Sequence, residues 1–363
     1  MSHDGQPGER GAVLCPYCLD PVLYDPTALY TRDTSKQCQK LTPQRPSNPY
    51  HADDELRRTY QRCHNVSEIP EHYVPVPYLI HGRPLTVALV GSSLTGKTHL
   101  LTAIIMQIIR GGMDDYGLKW RSVNAEMHAR FLEKRVQPLQ RGEILEGTRE
   151  AAFVDLENAL LISGRNFTRP VAFFDIAGES LTRTDKTTRF LAGVDAFIFV
   201  VDPVMALRLP QLEQLRKRLG VRLSELGDPA FGTVLDRIPR TGKYLDVTAA
   251  LVVSKSDLIR FDPPVDMWLL EPYQAPLSSQ RIWRESRDVY AFLRHYGGTP
   301  WLRPFMDCRQ CTLHFASATG AQARDSSFPR GVRPRRVLEP LLAIFAMNGL
   351  LGTGAGTPDL VGL

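Results

Sequence analysis

The sequence predicts an α/β domain in three layers, built on a mostly parallel sheet and preceded by a small metal-stapled segment. Three observations predict it. From Pro84 onward, apolar strand-like runs alternate with helix-like runs, the mark of a parallel sheet covered on both faces. A glycine-rich run, Gly91 to Thr98, falls between the first such strand and the first such helix. Ahead of both, residues 13 to 80 hold four cysteines and many prolines but little helical periodicity.

Residues 1–12 are Gly-rich and polar, and are expected to be disordered. Residues 13–80 lack the apolar area for a core of their own, so a metal is the expected staple. Cys15-Pro16-Tyr17-Cys18 has the C-x-x-C spacing that holds two thiolates on one tetrahedral Zn²⁺. Cys38 and Cys63 complete a four-cysteine site, with His64 or His51 as the alternative fourth ligand. A redox pair would need a strand before the C-x-x-C and a helix after it; Pro16 and the Pro21 region give neither. Free thiols are the remaining alternative. A zinc site would supply about 10 kcal/mol of folding free energy. The segment has no dense stripe of basic and aromatic residues, which favours protein contact over nucleic acid.

Residues 81–350 carry the α/β pattern. Strands are expected near 85–90, 158–163, 169–175, 196–202, 247–253 and 312–317. Helices are expected near 97–110, 124–137, 209–226, 281–296 and 335–348. Gly164-Arg165-Asn166 reads as a hairpin turn. Stretches 111–147, 203–246 and 258–311 exceed what a minimal nucleotide-binding domain needs; the last two are the expected partner surfaces, on length alone. Cys308-Arg309-Gln310-Cys311 is expected as two unliganded thiols on a loop before the last strand. Residues 351–363 read as a flexible tail.

Gly91-Ser92-Ser93-Leu94-Thr95-Gly96-Lys97-Thr98 fits G-x-x-x-x-G-K-[ST], the phosphate-binding P-loop. Its glycines let several backbone N–H groups converge on one phosphate, and the helix start adds its positive dipole end. Lys97 reaches the outer phosphates, the Thr98 hydroxyl faces Mg²⁺, and His99 continues the contact surface. Asp175 ends an apolar strand and Gly178 follows in D-x-x-G. Asp175 would hold Mg²⁺ through water, and the Gly178 N–H would sense the γ-phosphate. Another apolar strand leads into Ser254-Lys255-Ser256-Asp257. The Asp257 carboxylate can accept from N1–H and N2–H₂ of guanine, a donor pair adenine lacks, so this contact selects GTP or GDP. The Lys255 stem would lie on the ring face. Ser317-Ala318 ends the last strand and resembles the S-A motif, whose backbone N–H bonds guanine O6. Thr148 is the expected switch threonine on Mg²⁺, with Thr168 as second choice.

The whole chain bounds these readings. Its 363 residues suffice for a large core plus a small second domain. A formal charge of +5 is too small to argue for nucleic acid. The start, Met1-Ser2-His3-Asp4-Gly5, lacks the basic and apolar regions of a signal peptide. No apolar run approaches the roughly 20 residues of a membrane helix. A cytoplasmic location is expected, where six cysteines serve as thiols or metal ligands rather than disulfides.

In order, GSSLTGKT, DIAGE, SKSD and FASA resemble the Ras-like, translation-factor-related P-loop GTPases. With C-P-Y-C and a later R-C-H-N ahead of them, the chain looks like the bacterial double-GTPase family of conflict systems, second-member type. The helix with Glu285-Ser286 and the final Arg336-Val337-Leu338-Glu339-Pro340-Leu341-Leu342 also look like it, so the resemblance spans residues 13–350. It implies a zinc ribbon ahead of a GTPase-like domain. It also implies a GTP-dependent switch acting with a second GTPase and effector proteins in bacterial defence. Three positions depart from the pattern. Tyr60 stands where a second C-x-x-C would place its first cysteine, and Ser254 replaces the usual Asn. Glu179 follows Gly178, where Ras-like enzymes place a water-orienting Gln. At ~5 Å and an effective dielectric near 20, an ionised Glu179 repels the γ-phosphate by about 3 kcal/mol. Slow hydrolysis, aided by a partner's arginine, is therefore expected; Arg183 and Arg189 read as solvated. A GTP- or GDP-holding scaffold without turnover, and a P-loop ATPase of another class, are the alternatives.

Overall fold

The computed structural model describes residues 12–18, 20–32, 37–41, 55–64, 71–146, 155–175, 190–240 and 242–352. Short strands come first. β1 (Val13–Leu14) and β2 (Pro21–Val22) form an antiparallel hairpin. β3 (Leu29–Arg32), β4 (Cys38–Lys40), β5 (Thr59–Arg62) and β6 (Tyr73–Pro75) form an antiparallel sheet in the order β4-β3-β5-β6. The main sheet follows: β7 (Leu85–Val90), β8 (Lys119–Ser122), β9 (Asp155–Ser163), β10 (Thr168–Asp175), β11 (Ala196–Val201), β12 (Leu245–Val253) and β13 (Cys308–Phe315). Its seven strands run in the order β13-β12-β11-β7-β10-β9-β8. The first five in that order are parallel; β9 pairs antiparallel with both β10 and β8.

The helices that matter below are α1 (Lys97–Ile109), α2 (Ala125–Phe131), α3 (Glu213–Leu219), α4 (Pro229–Leu235), α5 (Ser279–His295) and α6 (Glu339–Met347). They cover both faces of the sheet. Along β7 the side chains alternate, as strand geometry requires. Leu85, Val87 and Leu89 pack with Ile104 of α1 and Ile344 of α6; Ala88 and Val90 pack with Phe197, Phe199 and Phe292 of α5. This is why the central strands read as unbroken apolar runs: both faces are buried.

The N-terminal segment shares this core. Val13, Cys15, Val22, Cys63, Val74 and Tyr78 belong to the same buried cluster as Phe197 and Phe199. Tyr60, flagged as a departure, has a use at this junction. Its hydroxyl accepts from Asn124 Nδ2 at 2.6 Å, and its ring lies 4.6 Å from the Arg32 guanidinium. Asn124 also caps α2 by accepting the Met127 N–H. A cysteine could not make that bond to Asn124 at this length.

Several boundaries move for physical reasons. The helix expected at 209–226 is a 3₁₀ turn followed by α3, which stops at Gly220 in the left-handed conformation. The helix expected at 124–137 is α2 continued by a π-helical turn. The last strand begins earlier than expected and ends at Phe315, so Ser317 and Ala318 lie beyond it. Cys308 and Cys311 therefore sit on β13, buried, rather than on a loop. α6 starts at Glu339, because Arg336 has φ +55° and ends any helix there. The hairpin turn stands: the Gly164 N–H donates to the Phe167 carbonyl at 3.0 Å. Among the described residues, no helix is long and apolar enough to cross a membrane.

Candidate functional site

Residues Gly91 to Gly96 leave the C-terminal end of β7 and turn into α1. The turn needs unusual backbone angles: Gly91 has φ +159°, Leu94 +67° and Gly96 +94°. A Cβ on Gly91 would lie 3.0 Å from both Thr95 Oγ1 and the Val200 carbonyl, so only glycine fits. No side chain caps α1, so its first-turn N–H groups open on the loop. Lys97 is buried and folds back, donating to the Gly91 carbonyl at 2.6 Å and the Ser92 carbonyl at 3.0 Å. Parallel pairing of β7 and β10 brings Asp175 opposite Leu89. Its Oδ2 accepts the Thr98 hydroxyl at 2.7 Å.

The neighbouring strands deliver the other expected residues to the same edge. β12 ends at Val253, and the Ser254 hydroxyl lies 2.8 Å from the Thr95 carbonyl and 3.0 Å from the Val201 carbonyl. Ser254 thus ties the loop to the sheet. Lys255, in a left-handed conformation, donates to the Leu94 carbonyl at 2.7 Å and to Asp202 at 2.6 Å. Asp257 is pushed up from the ordinary carboxylate value by burial, against which the Ser317 hydroxyl bond pulls down. Ser317 in turn accepts the Gly320 N–H at 2.8 Å. The Ser317 N–H is taken by the Arg335 carbonyl at 2.9 Å, which leaves Ala318 to offer the next amide.

His99 closes the other side. Its Nε2 accepts the Leu145 N–H at 3.2 Å, so the proton is assigned to Nδ1. Burial, with Lys255 and Arg135 adding, lowers it to about 4, so it is neutral at pH 7. Its ring meets Phe328 edge-on, with centroids 6.2 Å apart. Thr148, Gly178, Glu179, Arg183 and Arg189 lie outside the described residues. Thr168 lies at the start of β10, seven positions from Asp175 along the strand and away from Thr98.

The cysteine segment gathers a second group. Cys15 and Cys18 flank a turn after β1, and Cys63 follows β5. The β5–β6 pairing sets Arg62 opposite Tyr73, and the Cys63 N–H donates to the His72 carbonyl at 3.1 Å. The ligand atoms of Cys15, Cys18, Cys63 and His72 all lie within 4.8 Å of one another. Cys15 Sγ is 3.2 Å from His72 Nε2, and Cys18 Sγ is 3.6 Å from Cys63 Sγ. A tetrahedral zinc with Zn–S bonds of ~2.3 Å needs sulfurs roughly 3.8 Å apart, so the group fits such an ion. Burial pushes the Cys15 and Cys18 thiols up, so a bound cation would be what makes them thiolates.

This corrects the ligand set. Cys38 sits in β4, paired with Arg32, outside the group; His72 takes its place. His64 is not in the group either, and His51 lies outside the described residues. His72 was hidden because nothing in its spacing from Cys63 marks a ligand; only the hairpin brings them face to face. Asp202 and Asp228 were missed as well. Asp202 holds Lys255, and Asp228 accepts from Ser92. Asp202 had one signal, an acidic residue ending an apolar strand; Asp228 had none beyond Asp-Pro, the start of a helix.

No family model and no curated protein matches the chain. The functional reading therefore stands on the motifs and this geometry.

Proposed function

We propose that this chain is a GTP-binding switch of the Ras-like P-loop class, with slow Mg²⁺-dependent hydrolysis. One observation carries the reading. The Gly91–Thr98 loop, Asp175, the Ser254–Asp257 turn and Ser317 converge at one edge of the sheet, joined by the Thr98–Asp175, Lys255–Leu94 and Ser254–Thr95 bonds. These are the groups that phosphate, metal and guanine recognition require, supplied by four separate strand ends.

In this reading the loop amides and Lys97 hold the phosphates. Lys97 exchanges its two carbonyl partners for phosphate oxygens. Mg²⁺ would neutralise charge between the outer phosphates, with the Thr98 hydroxyl and the Asp175 carboxylate as the residues at hand to hold it. Asp257 reads the guanine edge, Lys255 lies across the ring, and the Ala318 amide faces O6. Thr148 and Gly178 respond to the γ-phosphate, on the strength of sequence position. The Cys15, Cys18, Cys63 and His72 group takes zinc and staples the N-terminal segment. A second GTPase and effector proteins of a bacterial conflict system are the partners the resemblance implies.

Single-turnover phosphate release separates a switch from a scaffold. Wild type is expected to hydrolyse Mg-GTP slowly, and Glu179→Gln to release phosphate at least tenfold faster, since removing about 3 kcal/mol of repulsion allows more than that. Absence of turnover in both forms, with GTP bound, favours the scaffold.

A further inference from the structure

Asp228 lies in the 203–246 stretch, which carries no recognised motif. It is 5% exposed and caps α4, with Oδ1 accepting the Ala230 N–H at 2.8 Å. A neutral acceptor would serve that cap equally well. The carboxylate does more. Its Oδ2 accepts the Ser92 N–H at 2.8 Å, and its Oδ1 accepts the Ser92 hydroxyl at 2.6 Å. Ser92 is held at two points across 136 residues of sequence.

The opposite side of Ser92 faces Lys97. The Ser92 carbonyl accepts from Lys97 Nζ at 3.0 Å and from the Thr95 hydroxyl at 2.9 Å. Fixing the Ser92 N–H and side chain therefore fixes the residue whose carbonyl receives Lys97. It also withdraws one loop amide from the set that can face an anion.

We infer that Asp228 is a positioning residue for the phosphate-binding loop, through which the 203–246 stretch sets nucleotide affinity. The inference rests on the nucleotide reading of that loop. With Asp228 in place the loop is ordered before ligand arrives, and binding does not bear that ordering cost. Without it, Ser92 is released, the loop must be ordered when the ligand binds, and affinity falls.

The test is calorimetric titration of Mg-GTP into the full chain, for wild type, Asp228→Ala, Ser92→Ala and the double variant, with the melting temperature of each. Asp228→Ala is expected to weaken binding about tenfold, in line with loss of charge-assisted bonds. Ser92→Ala keeps the amide bond and loses less. The double variant is no worse than Asp228→Ala alone, because the Ser92 hydroxyl acts through Asp228. A role confined to capping α4 would lower the melting temperature and leave this coupling at zero. Wild-type affinity in folded Asp228→Ala, or additive losses, overturns the inference and leaves the nucleotide reading standing. Should Asp228→Ala fail to fold, Asp228→Asn is titrated in its place, with hydrogen exchange of residues 91–98. Weaker binding and faster exchange support the role; unchanged values overturn it. Failure of wild type to bind any nucleotide overturns both readings.

Discussion

Substituting His72 by alanine is expected to strip the metal from the N-terminal segment and unfold it, at a cost on the order of 10 kcal/mol. The segment's strands are two to four residues long, too short to hold together alone. Its apolar residues, Val13, Val22, Val74 and Tyr78, join the buried cluster of Phe197 and Phe199, and the Cys15, Cys18, Cys63 and His72 group ties together the chain stretches that carry them. Chelation should act like the substitution. Cys38→Ser should do neither, since Cys38 lies in β4 outside the group. Native mass spectrometry for bound metal and proteolysis of residues 12–80 read the result. Metal retained by His72→Ala but lost from Cys38→Ser would restore the four-cysteine set.

Glu285→Gln is expected to destabilise the fold by about 3–5 kcal/mol, the usual cost of leaving a buried charge without its partner. Glu285 is fully buried on α5. Its Oε2 accepts from Arg336 at 2.7 Å and from the Tyr273 hydroxyl at 2.6 Å, and lies 3.1 Å from His314 Nδ1. Its Oε1 accepts the Phe315 N–H at 3.2 Å. Arg336, 1% exposed at its side chain, stacks on Tyr273 with its carbon 4.8 Å from the ring centroid. Glutamine would keep the shape but leave the guanidinium with only the Glu339 carboxylate, 3.7 Å away, to offset its charge. These are the two stretches, Glu285-Ser286 and Arg336 onward, that the family resemblance singled out separately. The fold joins them into one network beneath the Ser317 turn.

The same network predicts a pH limb. Burial would raise Glu285, but His314 and Arg336 outweigh it and hold the carboxyl at about 2, below its ordinary 4.5. A carboxyl depressed in the fold stabilises fully above its unfolded value, and that stability is lost as pH falls from about 4.5 toward 2. Glu339 is pushed up by burial, with Glu285 adding, and moves the opposite way, so the difference between wild type and Glu285→Gln reads Glu285 together with its effect on Glu339. Denaturant melts from pH 6 to about pH 2.5 should show that difference shrinking toward acid. A constant difference would contradict the assignment.

Strands buried on both faces were legible because they are almost wholly apolar; β7, β11 and the end of β12 are such runs, with Thr86 of β7, bonded to Asp195, as the exception. Edge strands were not. β8 is Lys-Trp-Arg-Ser, polar enough to pass for a loop, and it pairs with β9 on one side alone. The residues of the glycine-rich loop, Asp175 and the Ser254–Asp257 turn were legible because each ends an apolar strand or directly follows one. His72 and Asp228 were not, because each reaches its partners through tertiary pairing. Ser254, which departs from the expected amide, still bonds the Thr95 carbonyl, a contact a hydroxyl can make when the backbone comes close enough.

The central claim is guanine recognition by this edge of the sheet. Competition between GTP and ATP, with Mg²⁺, on wild type and Asp257→Ala tests it directly. Asp257 is the side chain proposed to tell the bases apart, and it sits buried against Ser317. The account predicts that wild type prefers GTP by at least a hundredfold and that Asp257→Ala loses most of that preference, as expected for an unpaired buried carboxylate facing the wrong base. Equal affinities in wild type, or a GTP preference untouched by the substitution, would contradict it.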